Sequence, residues 1–535
     1  MKEKSFLRGP AWAVGCLAVA QIVGACLRAP LFSVLGTEGM AYFQLAYPAY
    51  LLLFMACGLI FPMVLGQMVA AQMKRGDLEG GRTMFADGLL ALVIPAAVVG
   101  ILVALANGLV AGLCGMENAA DAIRGVAPLF LLSMAAAALR GYFIGLGQQA
   151  VSALSLLVME AGKLLFGLVL AKSHAAQGAQ IAAQWAMLGI CMGEILSLLM
   201  LAGCFFYSRA RTSIRQGEET QPLPPMKETA LKLWGRSGAL LFALASVAFW
   251  TMLDGLCIPG RMSALGYTLP QVRSAYALYS GVADPMMYFP AMLCALMTAL
   301  YLPRLREALE NKNGAQVRSI VSFCTKNSLV LSIAAAVPVL VLAKPLAGLI
   351  FGAALTGAEL ETAAAMVALM AAGIVFLSFA LSTGSMLCAT GKSGIAVGNA
   401  LIVLVLKLIL VLTMTSNRNL NIMGAAYSTV LSAAVLAAFN GIQLLRRMSV
   451  RFFLMENLVA PLIGGACMGA ALYFLHFGLL ETPMGNAGAI VAIVIGVLVY
   501  AAFVVVLKTF NREDYALLPG GERVYETLQK AGLYK

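Results

Sequence analysis

Charge is what this chain has least of. Of its 535 residues 11% are Asp, Glu, Lys or Arg, where a soluble domain carries about 25%. Histidine occurs twice, as His174 and His476, with no Cys/His spacing around either, so a metal site has no support. A phosphate-binding loop is missing too: Gly391-Lys392-Ser393 lacks the upstream glycine and falls in a short turn. That argues against ATP-driven chemistry within the chain, and neither an enzyme nor a cofactor is expected. Period-two alternation is also absent from the apolar stretches, which excludes a membrane β-barrel. The eleven cysteines, from Cys16 to Cys467, lie almost entirely within apolar segments. There they read as small packing residues rather than a disulfide framework.

What fills the chain is hydrocarbon: 61% hydrophobic residues and a mean hydropathy of +0.90. Apolar runs on the order of 20 residues, enough to cross a bilayer, recur from end to end. The expected class is therefore an all-α polytopic membrane protein. Its spans fall at 11–35, 40–72, 84–114, 125–146, 150–171, 181–207, 237–259, 275–303, 319–351, 361–389, 394–415, 422–445, 454–478 and 486–508, fourteen in all. With the N-terminus inside, about 26 of the 36 Lys and Arg fall in inner segments and about five in outer loops. Both termini are thus expected to be cytoplasmic. The net charge of +12 lies along an anionic inner leaflet and requires no nucleic acid. Lys2, Lys4 and Arg8 make a basic start, but the first apolar run continues past Cys26, so it reads as a retained span rather than a cleaved signal.

Weak internal similarity divides the chain. LVAGLCG at 109–115 recurs as LAGLIFG at 346–352, and IFPMVLGQMVA around Pro62 recurs as YFPAMLCALMT around Pro290. Gly147 precedes Lys163 by sixteen residues, as Gly391 precedes Lys407. The expected organisation is an N-terminal lobe at 1–207 (spans 1–6), a linker at 208–236 and a C-terminal lobe at 237–446 (spans 7–12). Spans 13–14 at 447–510 and a cytoplasmic tail at 511–535 follow. Six is even, so the two six-helix lobes are parallel repeats, an arrangement suited to alternating access around a midplane cavity. The linker carries Pro222, Pro224 and Pro225, and its KETALKLWGR segment fits a short amphipathic helix on the inner surface.

Ionisable groups at membrane depth cost about 2.5–3.5 kcal/mol each on insertion scales, so they face a cavity or a partner. Arg28, in IVGACLRAPLFSVLG, sits deep in span 1. It reads either as a structural group bonding broken backbone near Pro30 or as a cavity cation for an anionic substrate. Arg140 stands nearer the inner end of span 4, where snorkelling and substrate contact are both open. Glu160 and Lys163 share one helix face and are expected to neutralise each other, in a gating or ion-coupling role. Lys407 lacks an acidic neighbour on its own helix and reads as a second cavity cation. Asp254 and Asp284 are acidic counterparts for gating or ion coupling, with an Arg28–Asp254 contact as one gate. Glu194 reads as a helix–helix contact. The aromatic run YFQLAYPAY at 42–50 fits an interfacial belt.

Several of these stretches together carry a family resemblance. LRAPLFSVLGTEGMAYFQLAYPAY, GLIFPMVLGQMVA and LRGYFIGLGQQAVSALSLLVMEAGK, then WTMLDGLCIPGRMSALG and YSGVADPMMYFP, resemble the polysaccharide-exporter branch of the MOP superfamily. The likeness, from about residue 8 to 508, is greatest to stage V sporulation protein B-like members and more distant to MurJ-like lipid II flippases. It implies a fourteen-span flippase without ATPase activity, moving a polyprenyl-pyrophosphate-linked glycan, a cell-wall or polysaccharide precursor, from inner to outer leaflet of the cell membrane. Cell-wall synthesis enzymes are implied as possible partners beside membrane lipids. Arg28 matches the first-span arginine of the MurJ-like cationic cavity. The second-span arginine position reads YLLLF, with Leu51–Leu53, and the eighth-span position reads YSGVADPMM, with Asp284. A related MATE-type multidrug or cation antiporter is the alternative, and a non-transporting scaffold for cell-wall synthases a third.

Overall fold

The computed structural model describes residues 8–75, 77–211, 225–480, 484–518, 520–530 and 534. Lys2, Lys4, Pro222 and Pro224 lie outside them. The described residues form helices and turns, with no strand. Twelve helical segments among them are long and apolar enough to cross a membrane. A thirteenth arises when the pair Met226–Leu244 and Ser246–Ala264, bent by 68°, is taken as one span. The first segment, Gly15–Met73, covers 59 residues, far more than the ~20 that one crossing needs. Its continuity is broken at Gly36, where φ is 63° and ψ −173°, a conformation open essentially to glycine alone. Divided there, it supplies both spans expected between residues 11 and 72, and the architecture is compatible with fourteen.

Two compact units emerge, Met1–Gly281 and Val282–Lys535. In the first, α1 (Arg8–Ala25), α2 (Arg28–Met55), α3 (Phe61–Met73), α4 (Leu78–Leu113) and α5 (Ala120–Gly145) follow in order. Then come α6 (Gln149–His174), α7 (Ala179–Arg211), α8 (Met226–Leu244), α9 (Ser246–Ala264) and α10 (Leu269–Leu278). Helix α4 turns Leu105, Leu109 and Leu113 outward, as a lipid-facing span does. Helix α8 holds the KETALKLWGR segment and runs on to Leu244. Thr229, Leu233 and Ser237 are buried at four-residue spacing, and the Trp234 indole donates to the Ala91 carbonyl at 2.9 Å.

The second unit comprises α11 (Asp284–Ala299), α12 (Leu302–Glu310), α13 (Gly314–Val341), α14 (Ala343–Phe351) and α15 (Gly357–Ala389). It continues with α16 (Ser393–Thr415), α17 (Met423–Arg447), α18 (Ala460–Tyr473) and α19 (Gly488–Val506), then the short tail helices α20 (Arg512–Leu517) and α21 (Gly521–Lys530). The tail is tied down. Buried Lys326 of α13 ion-pairs with Asp514 of α20 at 2.7 Å and with Glu456 at 3.1 Å.

Three π turns share a cause legible in the chain. Ala56–Ile60, Tyr279–Ala283 and Met455–Val459 are each followed, at the second residue, by a proline: Pro62, Pro285 and Pro461. In the first, the Phe61 N–H reaches back to the Ala56 carbonyl, and in the third Ala460 reaches Met455. In that register the next carbonyl faces a proline, which has no N–H to give. Cys57 holds such a carbonyl in the first unit, and Ser280 stands at the equivalent position of the second π turn.

Helices α6 and α7 set the frame for the charged residues. They cross where Gly162 and Gly167 meet Gly189 and Gly193, small residues that let two backbones touch. A Cβ on Gly193 would lie 2.6 Å from the Lys163 amide nitrogen and 2.7 Å from the Met159 carbonyl oxygen. Backbone cannot rotate aside, so Gly193→Ala is expected to destabilise by about 1–3 kcal/mol. Gly203→Ala on the same helix, where nothing lies within 4 Å, is expected to be neutral in thermal unfolding of the purified protein.

Candidate functional site

Arg28 opens α2 immediately after a two-residue break at Cys26–Leu27. Its side chain is half-buried. One guanidinium nitrogen, Nη1, lies 3.5 Å from the Ser280 carbonyl, and Cζ sits 4.5 Å from the centre of the Tyr47 ring. Among the described residues no carboxylate pairs with it. The structural reading of Arg28 therefore has substance, although the open carbonyl is the one facing Pro285 rather than one near Pro30. The hydrogen bond is long, and the charge is left uncompensated.

From Tyr47 the aromatic run continues inward. Tyr47 and Tyr50 rings are 5.2 Å apart, and Tyr42, Phe43 and Tyr50 are buried. The segment thus lines the interior of the unit rather than forming an interfacial belt. Tyr50 joins the Glu160–Lys163 pair of α6. Its hydroxyl donates to Glu160 Oε1 at 2.7 Å and accepts from Lys163 Nζ at 3.2 Å, while Lys163 and Glu160 ion-pair directly. All three side chains are buried. Gly24 of α1 packs against this pair so closely that a Cβ there would collide with the Glu160 carboxylate.

Arg140 of α5 stands in a different setting. It is 1% exposed and fully engaged. Nε donates to Ser155 Oγ at 2.9 Å, Nη1 to the Cys57 carbonyl at 3.3 Å and Nη2 to Ser197 Oγ at 2.8 Å. Nη2 also pairs with Glu194 Oε1 at 3.2 Å. Arg140 thus fills the carbonyl facing Pro62 and balances Glu194, neither snorkelling nor open to a ligand in this conformation. The helix–helix contact expected of Glu194 is this pair.

Asp254 of α9 is buried and accepts the Tyr279 hydroxyl at 2.8 Å, and Tyr279 precedes in sequence the Ser280 whose carbonyl Arg28 approaches. An Arg28–Asp254 ion pair is not formed. In the second unit Asp284 is buried at the first turn of α11. Lys407 is buried between α16 and α17, donating to Ser428 Oγ at 3.0 Å and Thr429 Oγ1 at 2.6 Å. The offset of 244 residues that aligns Lys163 with Lys407 also aligns Arg140 with Gly384 and Ser155 with Asn399. There the second unit uses amides: Asn399 donates to Asn440 at 2.9 Å, and Gln443 to Asn399 at 3.0 Å. Arg28, Glu160 and Lys163 are therefore brought together through Tyr47 and Tyr50. Arg140 forms a second, closed network, and Lys407 and Asp284 belong to the other unit.

The fold is similar to that of solved membrane transporters. It is similar to the lipid II flippase MurJ in an inward closed conformation, with TM-score 0.67 and 14% identity, covering 92% of this chain and 98% of that one. It is also similar to a multidrug resistance MATE family transporter of the MOP superfamily in an inward-facing conformation. That TM-score is 0.64 at 14% identity, covering 82% and 98%. In sequence the chain is similar to stage V sporulation protein B of Bacillus subtilis (strain 168), 20% identical over 531 residues, with 97% of this chain and 98% of that protein covered. It is 22% identical over 528 residues to the uncharacterized membrane protein YabM of the same strain, covering 96% and 94%. No family model matches the chain. Across nearly its whole length the chain is therefore similar to these proteins in fold and, more weakly, in sequence, and its long apolar helices make it a multi-pass membrane protein.

The two arginines separate by experiment. Glu194→Ala leaves Arg140 buried without its counter-charge, and a loss of about 3–5 kcal/mol is expected. Arg28→Ala removes one long hydrogen bond, and a change within about 1 kcal/mol is expected. Thermal unfolding of both variants in one detergent checks the contrast.

Proposed function

We propose that this protein is an alternating-access flippase, moving a polyprenyl-pyrophosphate-linked glycan from the inner to the outer leaflet of the cell membrane, with both termini cytoplasmic. The observation that carries the reading is Arg28, a guanidinium within a span, half-buried, with a carbonyl and an aromatic ring for neighbours and no carboxylate among the described residues. Such a charge is costly at membrane depth unless something anionic visits it. A guanidinium suits phosphate oxygens because its fork presents paired N–H donors and it stays charged at any relevant pH. The similarity to a lipid II flippase and to a sporulation protein supports a cell-wall precursor as cargo.

The energy source need not be ATP. An anion leaving a cell that is negative inside gains about 2.3 kcal/mol per charge per 100 mV. Two uncompensated charges supply on the order of 4–5 kcal/mol per cycle. A second reading, a MATE-type antiporter for cationic compounds, is favoured by the likeness to multidrug transporters and by the buried carboxylate of Asp254.

In proteoliposomes carrying a fluorescent lipid-linked oligosaccharide, wild-type protein is expected to flip the lipid, faster under an inside-negative potential. Arg28→Ala is expected to lower the rate by about tenfold or more, the worth of one charge-assisted contact. Wild-type flipping with an undiminished Arg28→Ala rate sinks the site. Drug efflux that survives Arg28→Ala and is lost in Asp254→Asn favours the antiporter.

A further inference from the structure

Within the first unit lies a second buried cation that is not committed to a single partner. Lys163 faces Glu160 from its own helix, and Tyr50 bridges the two, donating to the carboxylate at 2.7 Å and accepting from the ammonium at 3.2 Å. That geometry gives Glu160 a partner to keep if the ammonium turns away. The ammonium also lies 4.9 Å from the centre of the Tyr50 ring, whose face attracts a cation. The rings form a continuous path to Arg28: guanidinium to Tyr47 at 4.5 Å, Tyr47 to Tyr50 at 5.2 Å, Tyr50 to Lys163 at 4.9 Å. Span 1 touches both ends, with Arg28 at one and Gly24 against the carboxylate at the other.

Resting on the proposed anionic cargo, we infer that Lys163 is a second phosphate-binding cation, held in reserve by Glu160 and recruited when a diphosphate, rather than a monophosphate, reaches Arg28. A single phosphate monoester is served by one guanidinium. A diphosphate carries a further phosphoryl group whose charge needs a second donor, and the Tyr47–Tyr50 rings place Lys163 next along the path. Recruitment exchanges one anionic partner of the ammonium for another. Tyr50 holds the released carboxylate, so no charge is left without a hydrogen bond. Glu160 thereby competes with the cargo and sets discrimination between diphosphate and monophosphate headgroups.

The test uses full-length protein in nanodiscs and two probes, a polyprenyl diphosphate and the corresponding polyprenyl monophosphate, with affinities from titration. Wild type is expected to prefer the diphosphate by about tenfold or more, the order of one charge-assisted contact. Lys163→Met should bring the two affinities within about twofold and leave monophosphate binding in place. Lys163→Arg should restore the preference. Glu160→Gln should tighten diphosphate binding several-fold, because the internal competitor has lost its charge. Should Lys163→Met unfold, the isosteric, uncharged pair Glu160→Gln/Lys163→Met supplies the same comparison. A preference that survives loss of Lys163, or diphosphate binding weakened by Glu160→Gln, overturns the inference. Arg28→Ala tests the underlying site separately: unchanged binding of both lipids defeats the flippase reading of Arg28, whatever Lys163 does.

Discussion

A polar group at membrane depth finds a bond within the protein or is not tolerated, and the polar architecture of the first unit follows from that constraint. A proline two residues beyond a π turn leaves a carbonyl without an N–H donor, and the chain does this at Pro62 and at Pro285. In each case an arginine from a distant helix supplies the donor: Arg140 at the Cys57 carbonyl, Arg28 at the Ser280 carbonyl. The guanidinium solves one problem and creates another, because its charge then needs an anion. Arg140 has one, in Glu194, with two serine hydroxyls taking two more of its N–H groups. The second unit avoids ions at the place that corresponds to Arg140 and Ser155, where Asn399, Asn440 and Gln443 bond one another through amides. At that offset Gly384 stands opposite Arg140, and the Asn440 amide packs against it.

The same chemical group, at the same kind of carbonyl, therefore ends in opposite states. Arg140 is closed on every side and its removal is a matter of folding. Arg28 is half-buried, its hydrogen bond is long, and its other neighbour is a ring face. A cation–π contact gives about 0.5–2 kcal/mol depending on desolvation, a partial return for a charge in a span. That imbalance is the ground for proposing Arg28, and not Arg140, as a ligand group, and it shows only when the two are set side by side. Burial alone ranks them the other way.

Much of this was legible in the sequence at the level of segments and little of it at the level of partners. Apolar length marked the spans, while the lysine and arginine distribution supports an orientation that stays an expectation. Glu160 and Lys163 could be paired from spacing alone, since residues three apart share a helix face. Arg140 and Glu194 are 54 residues apart and Arg28 and Ser280 are 252 apart. Helical periodicity says which residues share a face, not which other helix that face meets. Tyr47 and Tyr50 were read as interface anchors because their composition fits both settings. Their three-residue spacing beside Pro48 was the available signal that one face of the helix is aromatic. The π turns had a signal as well, a proline inside an apolar run, but a proline alone does not fix whether a helix kinks or widens.

Any carrier for an anion faces a conflict that, under the proposal for Lys163, the Glu160–Lys163 pair would resolve. Two free cations in one span-lined site bind a diphosphate well but repel each other, at considerable cost, whenever the site is empty. One free cation spares that cost and binds more weakly. A second cation neutralised by its own helix keeps the empty protein at a single uncompensated charge, and it contributes only while cargo is present. The contribution is smaller than that of a free lysine, because the cargo must displace Glu160. For a transporter that reduction is useful, since a cargo held by two full ion pairs in a low-dielectric interior leaves slowly. Tyr50 donates to the Glu160 carboxylate here, and in the proposed exchange it would keep that carboxylate hydrogen-bonded once the ammonium turns away. The closed Arg140–Glu194 network nearby lacks such a bridge, and that difference separates a pair that can open from one that only holds helices together.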